Sequence, residues 1–156
     1  MNNYLDSIDT ILAGHTVTTF FNVRIMECEE GKAVLGFRLR DEFHRHSDIA
    51  QSTLGCIVDC VARIAGYGLI GPSFISEHEI NYRPWQLSGG ELIASAQIQF
   101  RSDLCLTYVC DLTYDCELLL TETTSSRLVA ESQGTLAKLK PQDGFRSKKI
   151  IHEATV

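Results

Sequence analysis

The chain has 156 residues, 44% of them apolar and 22% charged, the balance of one globular domain able to bury a core without metal ions or disulfides. Its net charge of −6 and pI near 5.3 argue against a partner with a phosphate backbone, so no nucleic-acid binding is expected. The longest uncharged stretch, Thr10–Val23, is 14 residues, short of the ~20 that a membrane helix needs. Met1 to Asp6 lacks the basic-then-apolar order of a secretory signal. A cytoplasmic protein with no membrane partner is expected.

In chain order, Leu5, Ile8 and Leu12 follow helical spacing and predict a short N-terminal helix ending near Gly14. Thr16 to Cys28 is rich in Thr, Phe, Val and Ile and reads as a strand. Glu29-Glu30-Gly31-Lys32 reads as a turn, and alternation of Leu35, Phe37 and Leu39 beyond it predicts a hairpin. The polar segment Arg40 to Asp48 carries His44 and His46. The period then changes: Leu54, Ile57, Val58, Val61, Ala65 and Leu69 form one stripe of a long helix. Ser47 or Asp48 is placed to cap its start, and Gly66, Gly68 or Gly71-Pro72 to end it.

Four further strands are predicted: Phe74 to Arg83, Leu92 to Arg101, Leu104 to Tyr114 and Leu128 to Leu139. Cys116 to Arg127 has no Gly or Pro and fits either a longer hairpin or a loop. Hairpin, buried helix and four strands describe an α+β domain with one antiparallel sheet. Residues 1–140 form that single domain and residues 141–156 a mildly basic tail.

The only charged side chains between Ile49 and Pro72 are Asp59 and Arg63. At about 100° per residue, Asp59 lies roughly 140° from Leu54, opposite the apolar stripe. Ser52, Gly55 and Gly66 fall near it, small enough to let a backbone, a ligand or a second subunit approach. One reading is a solvated i,i+4 pair with Arg63. The other is a carboxylate for acid–base or nucleophilic work, with the first helical N–H groups, those of Gln51 and Ser52, polarising a carbonyl two turns earlier. The six cysteines show no C-x-x-C spacing, so they are expected to be buried structural thiols, with no metal site.

Ile80-Asn81-Tyr82-Arg83-Pro84 and Leu128-Val129-Ala130-Glu131-Ser132-Gln133-Gly134-Thr135-Leu136, together with a central-helix Asp, resemble the hotdog-fold thioesterases of the phenylacetate-pathway (PaaI) type. The match runs from about Lys32 to Leu139. It implies a hotdog fold, an antiparallel sheet wrapped around one long helix, and hydrolysis of an acyl-CoA, with coenzyme A as part of the substrate and no other cofactor. The family's catalytic carboxylate falls on Asp59. Its His-Gly-Gly helix entry falls on Ala50-Gln51-Ser52 and its upstream Asn on His44, two departures. By this correspondence the Gln51 N–H polarises the thioester and His44 and Ser52 line the substrate. Arg83, Arg101 and Arg127 are candidates for the coenzyme A phosphates. The resemblance also implies a homodimer or homotetramer. A hydroxyacyl-thioester dehydratase and a non-catalytic acyl-thioester binder are the alternatives.

Overall fold

The computed structural model describes residues 2–43, 53–83, 90–116 and 125–139, and the side chains of 8–43, 53–83, 90–113 and 128–139. Helix α1 (Asn2–Ala13) and a single helical turn α2 (Val17–Phe20) lead into strand β1 (Phe21–Glu29). Strand β2 (Lys32–Leu39) follows across a turn in which Gly31 takes φ +83°, a conformation glycine adopts without a steric penalty. A 3-10 turn at Asp41–Phe43 precedes the undescribed segment, and helix α3 (Leu54–Ile70) follows it. The remaining elements are β3 (Ser73–Tyr82), β4 (Glu91–Arg101), β5 (Cys105–Cys116) and β6 (Ser125–Lys138).

All six strands join one antiparallel sheet in the order β1-β2-β4-β5-β6-β3. Its register slips at Ile25/Glu27, Ile75/Glu77, Ile98/Phe100 and Leu112/Thr113. Such bulges bend and twist strands, which lets a sheet curl around a helix. Every strand accordingly touches α3. The inward residues alternate as the sequence predicts: Leu35, Phe37 and Leu39 on β2, Leu92, Ala94 and Ala96 on β4, and Leu106, Tyr108, Cys110 and Leu112 on β5 are all buried. Phe21 closes the core edge-on against Phe37, ring centres 6.1 Å apart.

Two expectations change, and one open reading is narrowed. Thr16 to Cys28 is not one strand, because α2 occupies its first residues. The His15 carbonyl accepts hydrogen bonds from the Thr18 N–H and hydroxyl, while Thr19 N–H donates to the Thr16 carbonyl, so the chain turns before extending at Phe21. Of the small residues expected near Asp59, Gly66 is closed, buried with Cys60, Ala62 and Ile64, whereas Gly55 is partly exposed and Ser52 lies outside the described residues. A Cβ on Gly66 would lie 2.9 Å from Leu136 Cδ1, so that glycine admits the curled sheet rather than a second subunit. The ambiguous Cys116–Arg127 stretch lengthens the hairpin at both ends, β5 running to Cys116 and β6 starting at Ser125. Gly71, at φ +71°, ends α3 with its N–H on the Tyr67 carbonyl. Among the described residues no helix is long and apolar enough to cross a membrane.

Candidate active site

Asp59 sits in the middle of α3, its side chain 34% exposed. Two donors converge on one of its oxygens: His15 Nε2 at 2.6 Å and Arg63 Nη1 at 3.3 Å, both on Oδ2. Arg63 is the i,i+4 neighbour read from the sequence. His15 comes from the corner between α1 and α2, 44 residues away in the chain, with only 7% of its side chain exposed.

That corner is built locally. Gly14 N–H donates to Thr10 and His15 N–H to Leu12, ending α1, after which the chain turns into α2. The Val17 N–H donates to His15 Nδ1 at 3.1 Å, so Nδ1 keeps its lone pair. In the neutral ring the proton therefore resides on Nε2, where it is donated to Asp59, an assignment made from the partners of the two nitrogens. The charge state of Asp59 follows from opposing effects. Burial pushes its pKa up, but the His15 hydrogen bond, the Arg63 charge and the remaining interactions with both partners outweigh burial and hold it below the usual carboxylate value. Asp59 is thus ionised at neutral pH. Among the described residues both donors to Asp59 fall on Oδ2. One turn earlier on the same face is Gly55, where the nearest described side-chain atom to an added Cβ is Ile80 Cδ1 at 4.0 Å.

Comparison with solved structures places this fold in a known frame. The E. coli PaaI protein from the phenylacetic acid degradation operon superposes with a TM-score of 0.65 at 15% identity, over 88% of this chain and 94% of that one. A thioesterase family protein from Silicibacter pomeroyi gives 0.67 at 13% identity, over 86% and 96%. A Streptococcus mutans protein bound to acetyl CoA gives 0.53 at 16% identity, over 76% and 92%. The chain has the hotdog fold. No protein-family model matches its sequence, and no curated protein does.

Within the hotdog frame Asp59 is on the central helix, as the sequence predicts. His44, His46, Ala50, Gln51 and Ser52 lie outside the described residues, as do Ser47, Asp48 and the side chain of Arg127. Arg83, just beyond β3, is exposed, with its guanidinium 3.7 Å from Glu131 across the sheet. Arg101 donates to the Leu69 carbonyl in the last turn of α3. That is ten residues past Asp59, or ~15 Å along the helix, so the structure does not gather Arg101 with the carboxylate. The depression of about 330 Å³ along β3, β5 and β6 is lined by Glu77 and Glu79 and contains none of the Asp59 cluster. The residue that sequence reasoning missed is His15.

The described cysteines are free thiols. Burial, chiefly, raises Cys60 and Cys110 to about 12, which removes them as nucleophiles. Cys56, one turn before Asp59, is partly exposed and lies 3.9 Å from the Thr16 hydroxyl. Alkylation of the native protein at neutral pH should leave Cys60 and Cys110 unmodified by mass spectrometry and any thioester hydrolysis intact. Rapid inactivation prevented by substrate would instead place Cys56 in the chemistry.

Proposed function

We propose that the protein is an acyl-CoA thioesterase in which Asp59 activates the attacking water. The observation that carries this reading is the ionised Asp59 carboxylate on the central hotdog helix, with Oδ2 held by two donors and Oδ1 unoccupied by any described donor. Oδ1 takes a proton from water as the water oxygen bonds to the thioester carbonyl carbon. The proposed donor to the resulting oxyanion is the Gln51 N–H, which lies outside the described residues and upstream of Leu54, the first residue of α3. Collapse breaks the C–S bond, and the proton on Asp59 passes to the departing coenzyme A sulfur, giving free acid and thiol. His44 and Ser52, outside the described residues, are the proposed contacts for the acyl group, and the exposed Arg83 and Arg101 those for the phosphates. Thioesterase names among hotdog proteins of the same architecture, and acetyl CoA bound to one such protein, support the reaction class and the ligand class.

The His15–Asp59 pair bears on the dehydratase alternative, which uses a His and an acidic residue. Here Nδ1 accepts from Val17 and Nε2 donates to Asp59, so the ring has no free lone pair with which to remove a substrate proton. Hydrolysis is therefore favoured over dehydration. A panel of acyl-CoA substrates separates the readings: thiol release supports hydrolysis, loss of water without thiol supports dehydration, and binding alone supports a carrier role.

The proposal includes assembly. The sheet ends in two edge strands, β1 and β3, most of whose side chains are exposed, and an open edge is a template for pairing with another strand. Light scattering at micromolar concentration should report a dimer or tetramer of the 17.4 kDa chain. A monomer would remove a site shared between subunits from the account.

A further inference from the structure

We propose that His15 is a positioning residue for Asp59: its Nε2–H pins Oδ2 and turns Oδ1 toward the substrate, so that the N-terminal corner of the chain supplies part of the active site. The pairing is specific at both ring nitrogens. Val17 N–H on Nδ1 leaves Nε2 as the protonated nitrogen, and at 2.6 Å that proton is donated to a carboxylate, the stronger class of hydrogen bond. The ring is 7% exposed, so water competes little for either bond. Without His15, Asp59 would keep only the longer Arg63 contact at 3.3 Å. Among the described residues, the other groups that interact with the Asp59 charge are Tyr108 from β5 and Cys60 on α3, both with raised pKa values and hence neutral near pH 7. His15 and Arg63 are thus the described groups that favour the ionised carboxylate.

This inference deepens the hydrolase reading, and two substitutions separate the roles of the two ring nitrogens. His15→Asn places an amide oxygen near the position of Nδ1, preserving an acceptor for Val17, but is too short to reach Asp59. His15→Gln places an amide N–H near the position of Nε2, preserving the donor. The first readout is the Asp59 carboxyl ¹³C resonance, assigned by its absence in Asp59→Asn and titrated with pH. Removing the donor should raise the Asp59 midpoint by about one pH unit, a tenfold change in proton affinity. In His15→Asn the acid limb of kcat/KM should move by the same amount and kcat should fall roughly tenfold with KM little changed. In His15→Gln both should stay within about threefold of wild type. A wild-type titration in His15→Asn, or an equal shift in the Gln variant, would overturn the proposal.

Should the Asn variant not fold, the imidazole ¹⁵N shifts of the wild-type protein decide the matter. A ring that carries a proton on Nε2 supports the donation to Asp59, and a ring bare at Nε2 contradicts it. Neither NMR readout needs turnover, so a protein that releases no thiol from any acyl-CoA would refute the hydrolase reading while leaving the His15–Asp59 coupling measurable.

Discussion

Asp59→Asn should lower hydrolysis of the best acyl-CoA substrate by at least ~10²-fold, the lower end of the range for a carboxylate acting as base. That loss corresponds to about 3 kcal/mol or more of barrier. The substitution removes charge and basicity but keeps shape, and the Asn oxygen can still accept the His15 Nε2–H. Arg63 loses its counter-charge, but its side chain is 30% exposed and water reaches it. The melting temperature should therefore move by only a few degrees, at roughly 2–4 °C per kcal/mol for a chain of this size. If the Asp59–Arg63 contact were only a helix-surface ion pair, a few tenths of a kcal/mol of stability would be lost and turnover would not change. Turnover therefore discriminates between the two roles, and the melting temperature of the same variant shows that any loss of turnover is not loss of fold.

The largest expected effect on stability lies on the sheet. Gly134 in β6 faces His78 on one side and Tyr108 on the other. A Cβ there would collide with the Glu77 carbonyl oxygen and sit 2.9 Å from both His78 Cβ and Tyr108 Cε1. The carbonyl belongs to backbone beside the β3 bulge at Ile75/Glu77 and cannot swing aside. Gly134→Ala should cost about 1–3 kcal/mol, the range for overpacking, and lower the melting temperature by roughly 2–12 °C. An unchanged melting temperature would mean that β6 can draw away from β3 without penalty. The Gly134-Thr135 pair that carries the resemblance at the sequence level thus has a packing reason: no side chain fits where β3, β5 and β6 converge.

The same two sites indicate how far the sequence could be read. Strict alternation in β2 and β5 and the uncharged stripe of α3 encode a hairpin, a helix and a sheet because each side chain's burial follows from local period. Local period also misleads where the sheet curls. Gly66 lies close to Asp59 on a helical wheel, yet it meets Leu136 because the bulged strands wrap past the edge that a flat sheet would cover. Thr16 to Phe20 has strand composition, but the bonds around His15 hold Val17–Phe20 in a helical turn, so a tertiary corner overrode propensity.

Asp59 was legible because a lone acidic residue in a long apolar helix is conspicuous, and the role proposed for it came from the resemblance. His15 was not legible. It is a single imidazole in the uncharged stretch Thr10–Val23, its partner is 44 residues away, and no spacing rule links the two. Only the folding of α1 and α2 brings them together.

The central claim is that a thioester carbonyl is presented to Asp59 Oδ1, and a crystal structure with a non-hydrolysable thioether analogue of an acyl-CoA tests it most directly. The account predicts that the carbon standing for the thioester carbonyl lies close enough to Oδ1 for one water between them, with the attacking water ~3–3.5 Å from that carbon. An analogue seated with its sulfur remote from α3, for instance in the depression beside Glu77 and Glu79, would contradict it.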